Sequence, residues 1–343
     1  MTKRNPFWDN IKFLLITLVV IGHFADYLSS MRIASAMVLF IYSFHMPMFF
    51  LVSGLYLKYD DKHKLRVDKV IYFLLIGFAM KAAIYFMEKI AGGEPKWHWL
   101  SENNVPWYMF VMAGYLILTY VLRNAPLKIV LPISVIISLL AGYADFIGNF
   151  LCLSRFMVFF PFFFTGYCLS PEKVQNFLKR KFVRITGILS LLVLGVTFLI
   201  LNDYVSPILR PVFYSRFPYS EMPFPKYGVL LRLLQYIIVT FAILGIGAIV
   251  PQKHIKFFSN AGSRTISVYA IHYFVLRILV AMNLNIILAD HFSNLGVIIW
   301  LFIAVLLTCV LSLPVFDLPF KFIQNTITWV INKLIKRLKR NNT

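Results

Sequence analysis

Long apolar runs, separated by shorter polar segments, dominate this chain from residue 9 to residue 315. A helix that crosses a membrane needs about 20 mostly apolar residues. Segments of this kind cover residues 9–28, 34–57, 67–89, 105–122, 127–144, 151–169, 183–202, 227–250, 265–286 and 294–315. The pattern predicts an all-α, polytopic membrane bundle of about ten transmembrane helices, in which Pro47 kinks the second span.

The connections between these spans differ in basic charge. Those after spans two, four, six and eight carry Lys and Arg, whereas those after spans five and nine carry neither. Cytoplasmic loops are enriched in these residues, so we predict that both termini are cytoplasmic. Two long connections, 90–104 and 203–226, then lie outside. Each is either a functional loop over a site or a plain connector.

The end of the chain has a different pattern. From Phe320 to Arg340, apolar residues recur at helical spacing, with Lys and Arg on the opposite side. A helix of this kind lies in the plane of a membrane interface. We therefore predict a transmembrane domain at 1–318 and a basic amphipathic interfacial helix and tail at 319–343.

Composition agrees with a protein surrounded by a lipid bilayer. Hydrophobic residues make up 60% of the chain and charged residues 14%, whereas soluble domains are about half apolar and a quarter charged. The net charge of +20 is explained by cytoplasmic loops that meet anionic lipid, so no nucleic-acid partner is expected. The three cysteines show no metal-site or disulfide spacing, so no metal is expected. No cleavable signal peptide is evident before the first span.

The first predicted span contains three ionisable residues, Asp9, Lys12 and His23. Such groups are costly inside a membrane and are functional candidates for that reason. Eleven residues separate Lys12 from His23, which places both on one helix face, about 16 Å apart along the axis. Asp9 lies one turn before Lys12 and can pair with it. One helix edge thus carries a charged pair near the cytoplasm and a histidine near the outer surface.

Other spans add further buried polar candidates. His45 lies in the outer half of the second span and can approach His23, although a packing role explains it equally well. Arg155 lies near the outer end of span six. His272 lies in the inner half of span nine, so we predict that it lies at a different depth from His23 and contacts the donor side.

Five segments resemble, in chain order, motifs of the membrane-bound acyltransferase family three. They are DNIKFLLITLVVIGH (Asp9–His23), FHMPMFFLVSGLYL (Phe44–Leu57), VPWYMFVM (Val105–Met112), SRFMVFFPFFFTGYCL (Ser154–Leu169) and SVYAIHYFVLR (Ser267–Arg277). The first contains the Arg/Lys-x10-His signature, with Lys12 rather than Arg, and the fourth resembles the fucose 4-O-acetylase-like branch. The last contains Tyr269 and His272 in a Tyr-x-x-His pattern. Many members also carry a soluble outer domain, for which no segment is visible here.

The resemblance implies O-acylation of a carbohydrate, with acetyl-CoA as a cytoplasmic donor substrate and no bound cofactor. It implies that His23 acts as general base or carries the acyl group, while Asp9 and Lys12 orient the donor. Contacts with donor or acceptor are then expected from His45, Arg155, His272, Tyr269, Trp107 and Tyr108. Trp107 and Tyr108 either stack on a sugar at the outer opening of the site or belong to an interfacial aromatic belt. The compact form is typical of a multi-pass protein of the bacterial plasma membrane.

Two other functions fit a polar bundle of this kind. A transporter or flippase for a lipid-linked sugar or polysaccharide precursor predicts two related halves, and none is visible. A structural or sensor protein predicts that His23 can be replaced without loss of activity. The sequence leaves open the acceptor sugar, the acyl length and the oligomeric state.

Overall fold

The computed structural model of the protein describes residues 5–59 and 64–341, and its regular structure is helical. In this part of the chain, the one β feature is an isolated bridge between Ser101 and Phe150. The helices are α1 (Pro6–Asp26), α2 (Arg32–Tyr42), α3 (His45–Leu55), α4 (Val67–Ile90), α5 (Trp107–Val121), α6 (Leu127–Ala141), α7 (Leu153–Cys168), α8 (Pro171–Leu178), α9 (Lys181–Ile200), α10 (Asn202–Tyr214), α11 (Gly228–Ile249), α12 (Lys256–Ala261), α13 (Thr265–Ala281), α14 (Leu284–Leu311) and α15 (Pro314–Asn341). The predicted all-α, multi-pass membrane fold is confirmed.

The predicted count of ten spans is not confirmed. Within the described residues, six helical segments are long and apolar enough to cross a membrane, or seven if the bent pair α7 and α8 is one span. Three other predicted spans correspond to α5, α6 and α13, which have only 15, 15 and 17 residues. A helix of 15 residues rises about 22 Å, less than the roughly 30 Å of a bilayer core.

The second predicted span is broken, whereas the sequence indicated a kink at Pro47. Helix α2 ends at Tyr42 and α3 begins at His45, so Pro47 lies in the first turn of α3. Proline is tolerated there because the first-turn N–H groups have no partner within the helix. The break places His45 at the N-terminal end of a helix.

Two predicted loops contain helix. The long connection 203–226 begins with α10, which includes Pro207 and Pro211 and lies against α2 through Ser35 and Ser206, whose Oγ atoms are 3.1 Å apart. The connection 285–294 lies inside α14, where the chain turns sharply at Ser293. Prolines in the first connection and polar residues in the second indicated loops, but tertiary packing overrides such local preferences.

Helices α1, α2 and α3 lie in the centre of the bundle. The helical segments differ in how much of their most apolar stretch of 18 residues is buried. The buried share of that stretch is 67% in α1 and 89% in the segment formed by α2 and α3, but only 17% in α9. The indole Nε1 of Trp300 on α14 donates a hydrogen bond of 2.8 Å to the carbonyl of Phe24 on α1. Polar side chains on α1 to α3 are therefore held inside the protein rather than facing lipid.

Helices α3 and α7 cross at reciprocal glycines. A Cβ atom on Gly54 would lie 2.1 Å from the Phe163 carbonyl oxygen, and one on Gly166 would lie 2.1 Å from the Leu51 carbonyl oxygen. Small residues allow this close approach, as the sequence indicated for Gly54. The crossing fixes α3, and with it His45, against the wall formed by α7.

We expect Gly54→Leu to destabilise the fold by about 3 kcal/mol or more, because its side chain forces α3 and α7 apart. The measurement is the melting temperature of the purified protein in detergent. Gly195→Leu is the matched control, since a Cβ at Gly195 on α9 would meet no atom within 4 Å. Equal melting of the two variants would contradict the close crossing.

Candidate active site

A cavity of about 340 Å³ lies at the end of α1 that contains His23 and Asp26. By the predicted orientation this is the outer end, and we call this space the outer cavity. It is lined by Val19, His23, Asp26, Tyr27, Tyr42, His45, Met46, Asn103, Asn104, Val105, Trp107, Arg155, Phe159, Phe213, Tyr214, Arg216, Tyr269 and Tyr273. Five of the predicted site residues therefore line this one cavity: His23, His45, Trp107, Arg155 and Tyr269.

His23 is surrounded by rings that belong to two other helices. Its imidazole centroid lies 5.3 Å from that of His272 and 6.0 Å from that of Tyr273, both on α13. The ring of Tyr42 on α2 lies 6.3 Å away. Since these rings pack around His23 on several sides, the imidazole is held in place at the cavity wall.

The backbone sets the tautomers of His45 and His272. Nδ1 of His45 lies 2.7 Å from the Ile41 carbonyl, and Nδ1 of His272 lies 2.9 Å from the Val268 carbonyl. A carbonyl oxygen only accepts, so Nδ1 carries the hydrogen in both rings, and a neutral ring then keeps Nε2 as an acceptor. Within the described chain, Nε2 of His272 is buried and has no hydrogen-bond partner.

The structure places His272 beside His23, so the prediction that they lie at different depths is wrong. That prediction assumed that the first and ninth spans begin at one level. Instead, the turn before α13 packs on α1, where a Cβ on Gly262 would lie 1.9 Å from the Asp9 carbonyl oxygen. His272 is ten residues beyond Gly262, and His23 is fourteen beyond Asp9. The remaining four residues correspond to about 6 Å of helix rise, and the two imidazole centroids nevertheless lie 5.3 Å apart.

Arg155 and Trp107 form one wall of the outer cavity. The guanidinium carbon of Arg155 lies 4.8 Å from the centroid of the Trp107 ring, a cation–π contact. Nη2 of Arg155 donates to Asn149 Oδ1 at 3.0 Å and to the Glu102 carbonyl at 3.3 Å. The Tyr269 hydroxyl donates to the Val105 carbonyl. The bonds to Glu102 and Val105 hold α7 and α13 against the segment that precedes α5.

Asp9 and Lys12 lie outside this cavity, at the opposite end of α1. They form the predicted ion pair, with 2.7 Å between Lys12 Nζ and Asp9 Oδ1. Nζ of Lys12 also lies 5.7 Å from the centroid of the Tyr56 ring. The structure therefore keeps the charged pair and His23 at separate levels of one helix, as the spacing predicted.

Asn10 was missed by sequence reasoning, although it lies between Asp9 and Lys12. Its buried amide donates to the carbonyls of Pro251 and Lys253 at 2.9 and 3.0 Å. Its oxygen accepts from the Ser259 hydroxyl at 2.7 Å. Asn10 thus holds a basic connection against the inner end of α1. A polar amide inside an apolar span was the signal that could have indicated it.

A narrow gap, which we call the inner constriction, lies between Lys12 and the outer cavity. It measures about 20 Å³ and is lined by Ile16, Met46, Phe49, Tyr108, Met109, Thr265, Ile266 and Tyr269. Room for about one water needs 10–15 Å³, so the gap is almost closed. Met46 and Tyr269 line both spaces. Tyr108, predicted at the outer mouth, faces this gap instead.

The long connection 90–104 lines a second space, the side cavity, of about 240 Å³. Nζ of Lys81 on α4 donates to the carbonyls of His98 and Ser101, both at 2.6 Å, and pairs with Glu102 at 3.2 Å. These contacts hold the connection in place. Asn103 and Asn104 line both the side cavity and the outer cavity, so this connection forms part of the site wall.

Asp26, Arg210 and Tyr214 form a polar cluster at the mouth of the outer cavity. The Asp26 carboxylate accepts from Arg210 and, at 2.9 Å, from the Tyr214 hydroxyl. Nη2 of Arg210 also donates to Ser29 Oγ at 3.0 Å. Arg210 lies in the long connection 203–226, and sequence reasoning did not connect it with α1 because α10 was not predicted.

A comparison with known families gives one match that covers nearly the whole chain. A family model described as an acyltransferase domain matches residues 5–316. No curated protein and no solved structure matches the chain. The match gives no support to a transporter or flippase.

Proposed function

This chain belongs to acyltransferase family 3 and is a membrane acyltransferase, and we propose that it acetylates a carbohydrate hydroxyl at the outer face. Acetyl-CoA on the cytoplasmic side is the proposed donor. The main observation behind the proposal is that His23, His45 and Arg155 line the same outer cavity. Acyl transfer to a hydroxyl needs a base for its proton and positive groups for the oxyanion.

His23 is the proposed general base. The acceptor hydroxyl oxygen attacks the thioester carbonyl carbon, while a nitrogen of His23 takes the hydroxyl proton. The tetrahedral intermediate then collapses: the carbon–sulfur bond breaks, the ester remains on the acceptor, and the proton passes to the departing CoA thiolate. The ring packing from Tyr42, Tyr273 and His272 supports this role, because a base must be oriented in order to act.

His45 and His272 are proposed to assist as neutral imidazoles. Their fixed Nδ1–H bonds leave Nε2 as an acceptor, so each can take a hydrogen bond from a hydroxyl or from His23 in its protonated form. His45 also begins α3, and the positive end of that helix dipole favours negative charge at the cavity wall. A structural role for the Nδ1 bonds does not account for Nε2 of His272, which is buried and has no hydrogen-bond partner in the described part of the chain.

The donor is proposed to bind from the end of α1 that holds Asp9 and Lys12. Lys12 supplies a positive charge for the anionic CoA, and Asp9 orients the Lys12 ammonium. The thioester arm then reaches His23 through the inner constriction. This step requires the constriction to widen, and the flexible side chains of Met46 and Met109 favour such a change.

Radiolabelled acetyl-CoA, added to the purified protein in nanodiscs with a panel of cell-surface glycans, tests the proposal. We expect label in a glycan in the presence of the protein and none without it. Longer acyl-CoA donors in parallel reactions define the acyl length. The proposal is wrong if the folded protein neither binds acetyl-CoA nor transfers label to any glycan or to water.

Two finer assignments belong to the same proposal. The motifs in α7 support membership of the fucose 4-O-acetylase-like branch, with a sugar of exopolysaccharide, capsule or wall glycan as acceptor. A location in a bacterial plasma membrane is part of the same proposal. Trp107, which lines the outer cavity and stacks on Arg155, is the proposed platform for the sugar ring.

A further inference from the structure

We infer that the acceptor is an anionic carbohydrate, whose carboxylate or phosphate is held by Arg155 and Arg216 in the outer cavity. The inference rests on the proposed function, because it names the class of acceptor that the same cavity receives. It is based on the positive charge of the cavity wall and on N–H donors of these two guanidinium groups that have no acceptor among the described residues.

Arg155 is buried in the cavity wall, yet much of its donor capacity is unused. It is 4% exposed, and a guanidinium carries five N–H donors. Within the described chain, its acceptors are the Glu102 carbonyl and Asn149 Oδ1, and both bond to Nη2. Nε of Arg155 is buried and has no hydrogen-bond partner among the described residues. A buried donor without an acceptor is costly, so this arrangement favours a ligand that supplies acceptor oxygens.

Arg216 adds a second guanidinium to the same cavity. Its charge lies over aromatic rings, 4.6 Å from the centroid of Phe217 and 5.7 Å from that of Tyr214. Its Nε is also buried and has no hydrogen-bond partner among the described residues. Ring contacts hold the side chain in place but offer no strong hydrogen-bond acceptor. The stacked guanidinium is therefore positioned and still able to donate.

The carboxylates near the cavity are already engaged by other cations. Asp26 is the acidic residue in the lining, and its carboxylate accepts from Arg210 and Tyr214. The carboxylate of Glu102 pairs with Lys81 at 3.2 Å. Among the described residues, neither Arg155 nor Arg216 forms an ion pair with a carboxylate. An anionic group that binds here can form charge-assisted hydrogen bonds with both guanidinium groups.

The position of the two arginines assigns them to the acceptor rather than to CoA. They line the outer cavity, whereas Lys12 lies beyond the inner constriction, at the other end of α1. A carboxylate on a sugar acid and a phosphate on a phosphorylated or lipid-linked sugar present the same anionic oxygens. Both match the fork of donors on a guanidinium.

Three probes with the same sugar ring test this inference: glucose, glucuronate and glucose 1-phosphate. Affinity is measured from the rise in melting temperature of the purified full-length protein with probe concentration. We expect at least one anion to bind about ten-fold or more tightly than glucose. Binding of glucuronate indicates a sugar acid, and binding of glucose 1-phosphate indicates a sugar phosphate.

The arginine variants identify the binding groups. We expect Arg216→Gln to weaken binding of the preferred anion by about 10- to 100-fold. Arg155→Lys, which keeps the buried charge but loses the fork, is expected to weaken it in the same direction. Arg32→Gln is the matched control, because Arg32 pairs with Asp203 outside the cavity and is 54% exposed.

The inference is overturned if glucose and both anions have the same affinity for the wild type. It is also overturned if anion affinity is unchanged in both arginine variants, or falls equally in Arg32→Gln. These outcomes are separate from failure of the proposed function, since labelled acetyl transfer to a neutral glycan would then continue. Loss of transfer to every acceptor, with anion binding intact, would instead contradict the acyltransfer proposal.

Discussion

We expect His23→Ala to lower kcat for acetyl transfer by about 10²- to 10⁴-fold, the usual contribution of a positioned general base. The physical reason is that the acceptor hydroxyl then lacks the imidazole that is proposed to take its proton. KM for acetyl-CoA is expected to change little, because Lys12 lies outside the outer cavity. The measurement is steady-state transfer of labelled acetyl at saturating acceptor.

His291→Ala is a matched control for this prediction. Like His45 and His272, His291 has its Nδ1 atom within hydrogen-bond distance of the carbonyl four residues earlier, here 2.9 Å from that of Ile287. Unlike them, His291 is exposed and lies outside the cavity. We expect its kcat to equal that of the wild type. If His23→Ala also matches the wild type, His23 is not the base, and the role passes to His45 or His272.

The contact between His23 and His272 gives a second test of the same site. If the two rings act as one unit, the double variant His23→Ala/His272→Ala is expected to lose little more activity than His23→Ala alone. Additive losses would indicate that His272 acts independently. The comparison uses kcat values of all four proteins, together with their melting temperatures, so that loss of folding is recognised.

We expect Thr265→Trp to reduce transfer from acetyl-CoA by about 100-fold or more, by filling the inner constriction. The constriction measures only about 20 Å³, so an indole at Thr265 leaves no room for a thioester arm. Thr265 lies at the start of α13 and is half-buried, which favours folding of the variant. Thr240→Trp, on an exposed part of α11, is the matched control.

A short donor separates a blocked path from a damaged site. An acetyl thioester of N-acetylcysteamine lacks the nucleotide and can reach the outer cavity without passing the constriction. We expect Thr265→Trp to use this donor at nearly the wild-type rate, whereas His23→Ala uses neither donor. Full activity of Thr265→Trp with acetyl-CoA would show that the arm does not pass this gap.

Much of the helical framework could be predicted because apolar length and helical spacing are local properties. The distance from Lys12 to His23 along one helix face depends only on α1, and the structure contains the ion pair with Asp9 as expected. The break between Tyr42 and His45 was not predicted. Neither proline nor glycine occurs at residues 42–45, so the local sequence contained no signal for it.

The composition of the outer cavity could be predicted only in part, since it depends on contacts between distant helices. His272 was placed at the wrong depth because the level at which α13 begins is set by Gly262 against Asp9. Asp26 and Arg216 were not connected with His23, because α10 lies in a segment whose prolines indicated a loop. Local sequence cannot report where such a helix packs.

The most direct test of the central claim is acyl transfer across a sealed membrane. Purified protein is placed in vesicles that enclose labelled acetyl-CoA, with the glycan acceptor outside. The account predicts label on the external glycan with the wild type and only background with His23→Ala, in vesicles of equal protein content. Label on the external glycan at equal rates in both proteins, or none with a folded wild type that binds acetyl-CoA, would contradict it.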